Sequence, residues 1–150
     1  MTEINKLEIR IAKPGDTIEI DYINQLLQEL TCRESHITHA DINQIIGSDN
    51  SLLFVASLDG QTVGMATLGV YCSPTGRKVW VEDVVVSSTM RGRGFGRELV
   101  NYLINYTQQN LTPCSLMLTS RPTRIEANEL YRSSGFEQRQ TNVYKIDMPK

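Results

Sequence analysis

Lys78-Val79-Trp80-Val81-Glu82-Asp83-Val84-Val85-Val86 leads, after Ser87-Ser88-Thr89-Met90, into Arg91-Gly92-Arg93-Gly94-Phe95-Gly96-Arg97, and the reading of this stretch decides the fold. The first part is rich in valine, with Trp80, Glu82 and Asp83 among apolar neighbours, which is the composition of a strand. From about Gly94 to Gln109, Phe95, Leu99, Leu103 and Tyr106 fall on one stripe of a helix. The glycine turn therefore joins a strand to a helix N-terminus, where unpaired N–H groups and the positive end of the helix dipole converge. Three glycines let an anion approach the backbone, and Arg91, Arg93 and Arg97 add charge with no acidic residue among them. A diphosphate is the natural ligand, and a solvated surface loop is the competing reading. No lysine follows the glycines as a P-loop requires, and Gly92-Arg93-Gly94-Phe95-Gly96 lacks the G-x-G-x-x-G spacing of a dinucleotide fold.

Outward from this junction, strands and helices continue in both directions. Downstream, Ser115 to Thr119 reads as a strand, and Ile125 to about Ser134 as a helix stopped by Gly135. Glu137 to Met148 then resembles a final extended hairpin. Upstream, Leu52–Ala56 and Val63–Leu68 flank Asp59-Gly60, a dipeptide suited to the positive φ of a tight hairpin turn. Leu7–Ile11 alternates apolar and polar ahead of Pro14-Gly15 and predicts a first strand. Asp16 and Glu19 resemble a capping box before Ile23, Leu26, Leu27 and Leu30, and a shorter helix is expected from about His39 to Ile46, stopped by Gly47. The order is strand, two helices, three strands, helix, strand, helix and a terminal strand or strands. It predicts an α/β fold of the α+β kind, with a mixed sheet covered by helices on both faces. No repeat, low-complexity segment or linker interrupts it, so one domain over residues 1–150 is expected.

Fifteen Lys+Arg against seventeen Asp+Glu leave a formal charge of -2, which gives no basic excess for nucleic acid or an anionic membrane. Neither partner is expected, and no apolar stretch has the length of a bilayer span. Met1-Thr2-Glu3-Ile4-Asn5-Lys6 has no basic region followed by an apolar run, so a cytoplasmic protein is the expectation. Cys32, Cys72 and Cys114 are widely spaced and are expected to be buried free thiols. His36 and His39 stand three residues apart, too small a set for a metal site, and no metal is expected. They lie in a polar, mobile segment that is expected to touch substrate.

Val81-Glu82-Asp83-Val84-Val85-Val86 followed by Arg91-Gly92-Arg93-Gly94-Phe95-Gly96 resembles motif A of the GCN5-related N-acetyltransferase (GNAT) superfamily. Its signature is Q/R-x-x-G-x-G/A, matched here by Arg91, Gly94 and Gly96. Ala127-Asn128-Glu129-Leu130-Tyr131-Arg132-Ser133-Ser134-Gly135-Phe136 resembles motif B, a helix that carries Asn and Tyr and ends at Gly-Phe. The element order resembles the GNAT sheet as well, mostly antiparallel with one splayed parallel pair. The likeness is weakest over the first third of the chain, where these enzymes hold the acceptor.

The resemblance implies acetyl-CoA as acyl donor. The backbone of Val84, Val85 and Val86 matches positions that pair with the pantetheine arm like an added strand. An N–H near Val84 matches the donor to the thioester oxygen, and Arg91, Gly92, Arg93, Gly94, Phe95, Gly96 and Arg97 match the diphosphate cradle. Tyr131 matches the general acid, a phenol that is protonated at neutral pH; its alternative is a packing role in the core. Asn128, one turn earlier, either bonds pantetheine or orients Tyr131. Glu82 is the candidate base, acting through water, and on an unbroken strand it projects with Val84 and Val86 over the donor surface. Its alternative is a solvated or substrate-orienting carboxylate.

The Val-Glu-Asp-Val-Val-Val string is similar in particular to that of glucosamine 6-phosphate acetyltransferases, whereas Trp80 stands where histone-type members carry a catalytic glutamate. Arg121 and Arg124, beside the catalytic helix, suit an acidic acceptor or lie in a solvated loop. The implied reaction is transfer of acetyl to a primary amine of a small molecule by direct attack in a ternary complex, with no cysteine nucleophile. A protein or peptide acetyltransferase and a CoA-binding sensor are the rival readings. A homodimer is the family-level expectation.

Overall fold

The computed structural model describes residues 6–150. The reading of the first residues as free of a leader falls on residues 1–5 and lies outside the described residues. Strands β1 (Glu8–Ile11), β2 (Ser51–Leu58), β3 (Gln61–Ser73), β4 (Gly76–Val86) and β5 (Ser115–Met117) lie side by side in that order. The first four are antiparallel to their neighbours and β5 is parallel to β4, which is the mixed sheet expected. The helices are α1 (Ile20–Thr31), α2 (His39–Ile46), α3 (Phe95–Asn110) and α4 (Ile125–Ser133). Among the described residues no helix is long and apolar enough to cross a membrane.

Two apolar clusters cover the two faces. On one, Ile23 and Leu26 of α1 and Ile42 of α2 pack on Leu53, Val55, Met65 and Val85. On the other, Leu99 and Leu103 of α3 pack on Phe54, Ala66, Leu68, Val79 and Val81. Phe54 is fully buried and meets Tyr102 and Tyr106 of α3 edge to face, with centroids 5.9 and 5.2 Å away. Each fully buried Leu or Phe of this kind contributes about 1.5–3 kcal/mol relative to exposure.

Asp59 and Gly60 take φ of +50° and +80°, so the dipeptide makes the turn its chemistry predicts. Four expectations need correction. Asp16 and Glu19 form no capping box; Asp16 instead accepts from Arg10 Nη1 (3.0 Å) and the Lys13 N–H (2.8 Å). Residues 137–150 form no strand and are exposed, and among the described residues none pairs with them in a ladder. β5 is shorter than predicted, ending at Met117. None of the cysteines is buried: Cys32 and Cys72 are exposed, and Cys114 is half-buried. Cys32 caps α1 in the left-handed region and Cys72 lies near the end of the hairpin between β3 and β4, both sites at the periphery of the fold.

β4 carries a bulge. The register steps from Met65 opposite Val85 to Thr67 opposite Glu82, three residues of β4 against two of β3, and Asp83 takes φ +50°. Gly64, opposite Val86, permits the close approach, since a Cβ there would stand 3.0 Å from the Val85 carbonyl oxygen.

Candidate active site

β4 and β5 pair only from Lys78 opposite Ser115 to Trp80 opposite Met117, whereas β4 stays paired with β3 through Val86. Beyond Trp80 the edge of β4 that faces β5 is unpaired among the described residues, and its N–H and C=O groups are open to an extended ligand. This open edge includes the backbone of Val84, Val85 and Val86 and leads along the chain to the turn at Arg91.

The bulge rearranges which side chains share a face. Val79, Val81, Val84 and Val86 all pack with the α3 cluster, while Val85 packs with the α1–α2 cluster. Glu82 follows Val81 on unbroken strand and therefore alternates onto the α1–α2 face. The expectation that Glu82 projects with Val84 and Val86 is thus corrected: the extra residue at Asp83 inverts the parity. Glu82 is exposed, and partial burial, with the Asp83 charge beside it, raises its carboxyl above the usual 4.5.

The glycine turn follows a short 3₁₀ turn, Ser88–Met90. Gly92 and Gly94 take φ of +78° and +76°, conformations that disfavour any side chain, and nothing lies within 4 Å of where a Cβ would stand. Gly94 is the N-cap of α3 and offers no side chain to the first N–H groups of the helix. Arg91 and Arg93 are exposed, and neither has a salt-bridge partner among the described residues. Arg97 Nη2 donates to Ser133 Oγ at 2.9 Å and so joins the start of α3 to the end of α4. Gly96 faces the same helix, with Leu130 Cδ2 3.7 Å from its would-be Cβ. The Phe95 side chain packs beside Leu7, Ala56, Leu58 and Val63, leaving its backbone for the turn.

Tyr131 is 7% exposed and packs edge to face on Phe136. Burial raises its phenol above the usual 10.0, opposed in part by the neighbouring Arg124 guanidinium, so the hydroxyl is protonated throughout the neutral range. Arg124, Asn128 and Tyr131 follow at i, i+4 and i+7 on one side of α4. Asn128 Nδ2 donates to the carbonyls of Arg121 and Arg124, both at 2.8 Å, which commits its amide to holding the turn before α4. Ser120, Asn128 and Tyr131 line a groove of about 1020 Å³ beside β5.

Two residues escaped the sequence reading. Glu29, near the end of α1, accepts from both the Ser88 N–H and the Ser88 hydroxyl, each at 2.9 Å, and ties the α1–α2 side to the turn before the glycines. A contact across 59 residues leaves no local pattern. Ser120, three residues beyond the end of β5, has a buried hydroxyl with no hydrogen-bond partner among the described residues, and a single serine after a strand carries no signal.

Comparison with known proteins agrees with this fold. The chain aligns with a protein from Agrobacterium tumefaciens assigned as an acetyltransferase at 26% identity and TM-score 0.79, covering 94% of this chain and 99% of that one. An aminoglycoside acetyltransferase from an uncultured soil metagenomic sample shares the fold at 17% identity and TM-score 0.82, covering 96% and 97%. Aminoglycoside N-acetyltransferase AAC(6')-Iy, solved in complex with CoA, shares it at 18% identity and TM-score 0.78, covering 98% of each chain. Among curated proteins none matches the chain. The family model for the acetyltransferase (GNAT) family matches residues 20–136, the span that holds the splayed strands, the glycine turn and the α4 tyrosine, and the chain belongs to that family.

Proposed function

We propose that this N-acetyltransferase uses acetyl-CoA to acetylate a primary amine of a small molecule by direct attack in a ternary complex. The observation that carries the reading is the unpaired edge of β4 from Val81 to Val86, opening onto a glycine turn with positive φ, open space and unpaired arginines. These features fit a donor with an extended amide-bearing arm and a diphosphate. Acetyl-CoA supplies an activated acyl thioester; the protein supplies position, charge and protons.

The backbone of Val84, Val85 and Val86 holds the arm, and an N–H near Val84 meets the oxygen on which charge develops. Arg91, Gly92, Arg93, Gly94, Gly96 and Arg97, with the Phe95 N–H, hold the diphosphate. Glu82, on the face of α1 and α2, takes the proton from the amine through water, its raised pKa bringing it nearer to neutral pH. Tyr131 gives its proton to the departing thiolate. Asn128 is a positioning residue, since its amide fixes the turn from which α4 starts. The small-molecule acceptor is supported by the aminoglycoside acetyltransferases among proteins of this fold.

A thermal-shift titration with acetyl-CoA, desulfo-CoA, NAD and ATP tests the donor, because a ligand bound to the native state raises stability by RT ln(1 + [L]/Kd). Stabilisation by the two CoA compounds alone is expected. Stabilisation by NAD or ATP without either CoA compound would overturn the reading of the turn. An amine screen that follows thiol release then separates small amines from peptides.

A further inference from the structure

The hairpin of β3 and β4 runs on past the apolar cluster beneath α1 and α2. That cluster includes Met65 of β3 and Val85 of β4 but, among the described residues, none between them along the hairpin. Alternation puts Thr67, Gly69 and Tyr71 of β3 on the α1–α2 face, because Ala66, Leu68 and Val70 pack with α3. On β4 it puts Lys78, Trp80 and Glu82 there, because Val79 and Val81 pack with α3 as well. Thr67 stands opposite Glu82 and Gly69 opposite Trp80, with Ser51 of β2 on the other side of Gly69. The smallest side chains of that row thus lie next to the largest. A Cβ on Gly69 would meet nothing within 4 Å, so a hollow opens beside the indole. Trp80 Nε1–H donates to Tyr71 Oη at 3.4 Å, and Tyr71 is 49% exposed, so two joined aromatic rings border the hollow and reach solvent.

The charge beside the hollow is negative. Glu82 is exposed, has no salt-bridge partner among the described residues, and stands diagonal to Gly69, a spacing of roughly 7–8 Å in a sheet. Lys78, the cation on the same face of β4, is turned to the hairpin end, where its Nζ donates to Ser73 Oγ at 2.9 Å and to the Gly76 carbonyl at 3.1 Å. An aromatic face attracts a cation and also packs against the flat side of a ring. We propose that this hollow selects the acceptor: it takes a primary ammonium carried on a ring, with the ring over Gly69 against Trp80 and Tyr71 and the ammonium at Glu82. An open-chain amine of equal carbon count reaches the same carboxylate with more rotors to order and no flat side to lay on the aromatic rings. Trp80 and Tyr71 are then specificity-determining residues, and Glu82 holds the ammonium before it takes the proton through water. The bearing on catalysis rests on the acetyltransferase reading given above, whereas binding in the hollow does not.

Trp80 is the single tryptophan of the chain, so its emission reports the hollow without reference to chemistry. Cyclohexylmethylamine, 2-phenylethylamine, heptylamine and the uncharged cyclohexylmethanol are titrated into the full chain in the absence of acetyl-CoA. The two ring amines are expected to shift the emission saturably, at concentrations at least about tenfold lower than heptylamine or cyclohexylmethanol requires. Gly69→Leu fills the hollow; Gly69 is outside the left-handed region and has open space, so the variant folds, as circular dichroism checks. It is expected to lose the ring response and to keep the thermal shift with acetyl-CoA. Tyr71→Ala, at an exposed position, is expected to weaken the ring amines by about fivefold and to leave heptylamine unchanged. Thiol release from acetyl-CoA, measured with the same amines, is expected to show the same tenfold preference in kcat/KM. Equal responses to ring and chain, or a ring response that survives Gly69→Leu, overturn the proposal. Thiol release with no change in emission keeps the acetyltransferase and removes the hollow. Emission changes with no thiol release from any amine keep the hollow and overturn the reaction.

Discussion

Gly94 separates backbone strain from charge in the glycine turn. It sits at φ +76° with nothing within 4 Å of a would-be Cβ, so Gly94→Ala meets no clash and carries only the cost of a left-handed backbone. That cost is about 1–2 kcal/mol, or a Tm lower by roughly 2–8 °C in a chain of this length. Gly94→Asp shares the backbone term, which Asp tolerates better than Ala, and adds a carboxylate at the rim between Arg91, Arg93 and Arg97. A unit charge about 5 Å from a bound diphosphate, at an effective dielectric of about 20, costs about 3 kcal/mol, which is about a hundredfold in Kd. Titration calorimetry with acetyl-CoA on wild type and both variants reads the difference. The Ala variant is expected to bind within about threefold of wild type, and the Asp variant about a hundredfold more weakly, with a penalty that shrinks as salt is added. Equal losses in the two variants, or wild-type binding by the Asp variant, would refute the assignment of the turn as an anion site.

Tyr131→Phe is expected to lower kcat by about a hundredfold or more with acetyl-CoA affinity unchanged, and unchanged turnover would remove Tyr131 from the chemistry. Glu82 must be ionised to act as base, so kcat/KM should fall as pH drops through a pKa above 4.5; Glu82→Gln should lose that acid limb together with most of the rate, and a retained limb assigns it to another group. Glu29→Gln leaves the amide one acceptor for the two donors of Ser88, and KM for acetyl-CoA should rise about fivefold with kcat unchanged. If KM stays where it is in steady-state kinetics, the tie between α1 and the turn has no part in donor binding.

What was legible in the sequence was whatever neighbouring residues decide together. The α3 stripe of Phe95, Leu99 and Leu103, the Asp59-Gly60 turn and the glycines at Arg91–Arg97 each act within a few positions, and each stands where the pattern put it. α2 likewise runs from His39 to Ile46, although its cap is the Thr38–Asp41 box, which the periodicity did not need. Glu29 and Ser88 are joined only by the fold, and no local reading reaches them. The strand pattern of the C-terminal residues was legible, but a strand needs a neighbour, and alternation says nothing about which chain provides it.

The bulge at Asp83 belongs to neither class, because the conflict that causes it stands in the sequence. Val79 and Val81 point into the cluster of Phe54, Leu68, Leu99 and Leu103. Unbroken alternation would carry Asp83 onto that same apolar face, where an unpaired carboxylate costs several kcal/mol. An extra residue there, with Asp83 at φ +50°, leaves the carboxylate exposed and returns Val84 and Val86 to the cluster, and Asp is among the few residues that accept the left-handed region readily. The inverted parity has a chemical consequence. Glu82 stays on the face of α1 and α2 while the valines that follow keep their side chains in the core and their backbone toward the cleft. The same bulge that keeps a charge out of the core thus turns Val84 and Val86 away from the candidate base, which ordinary alternation from Val81 has already set on the α1–α2 face.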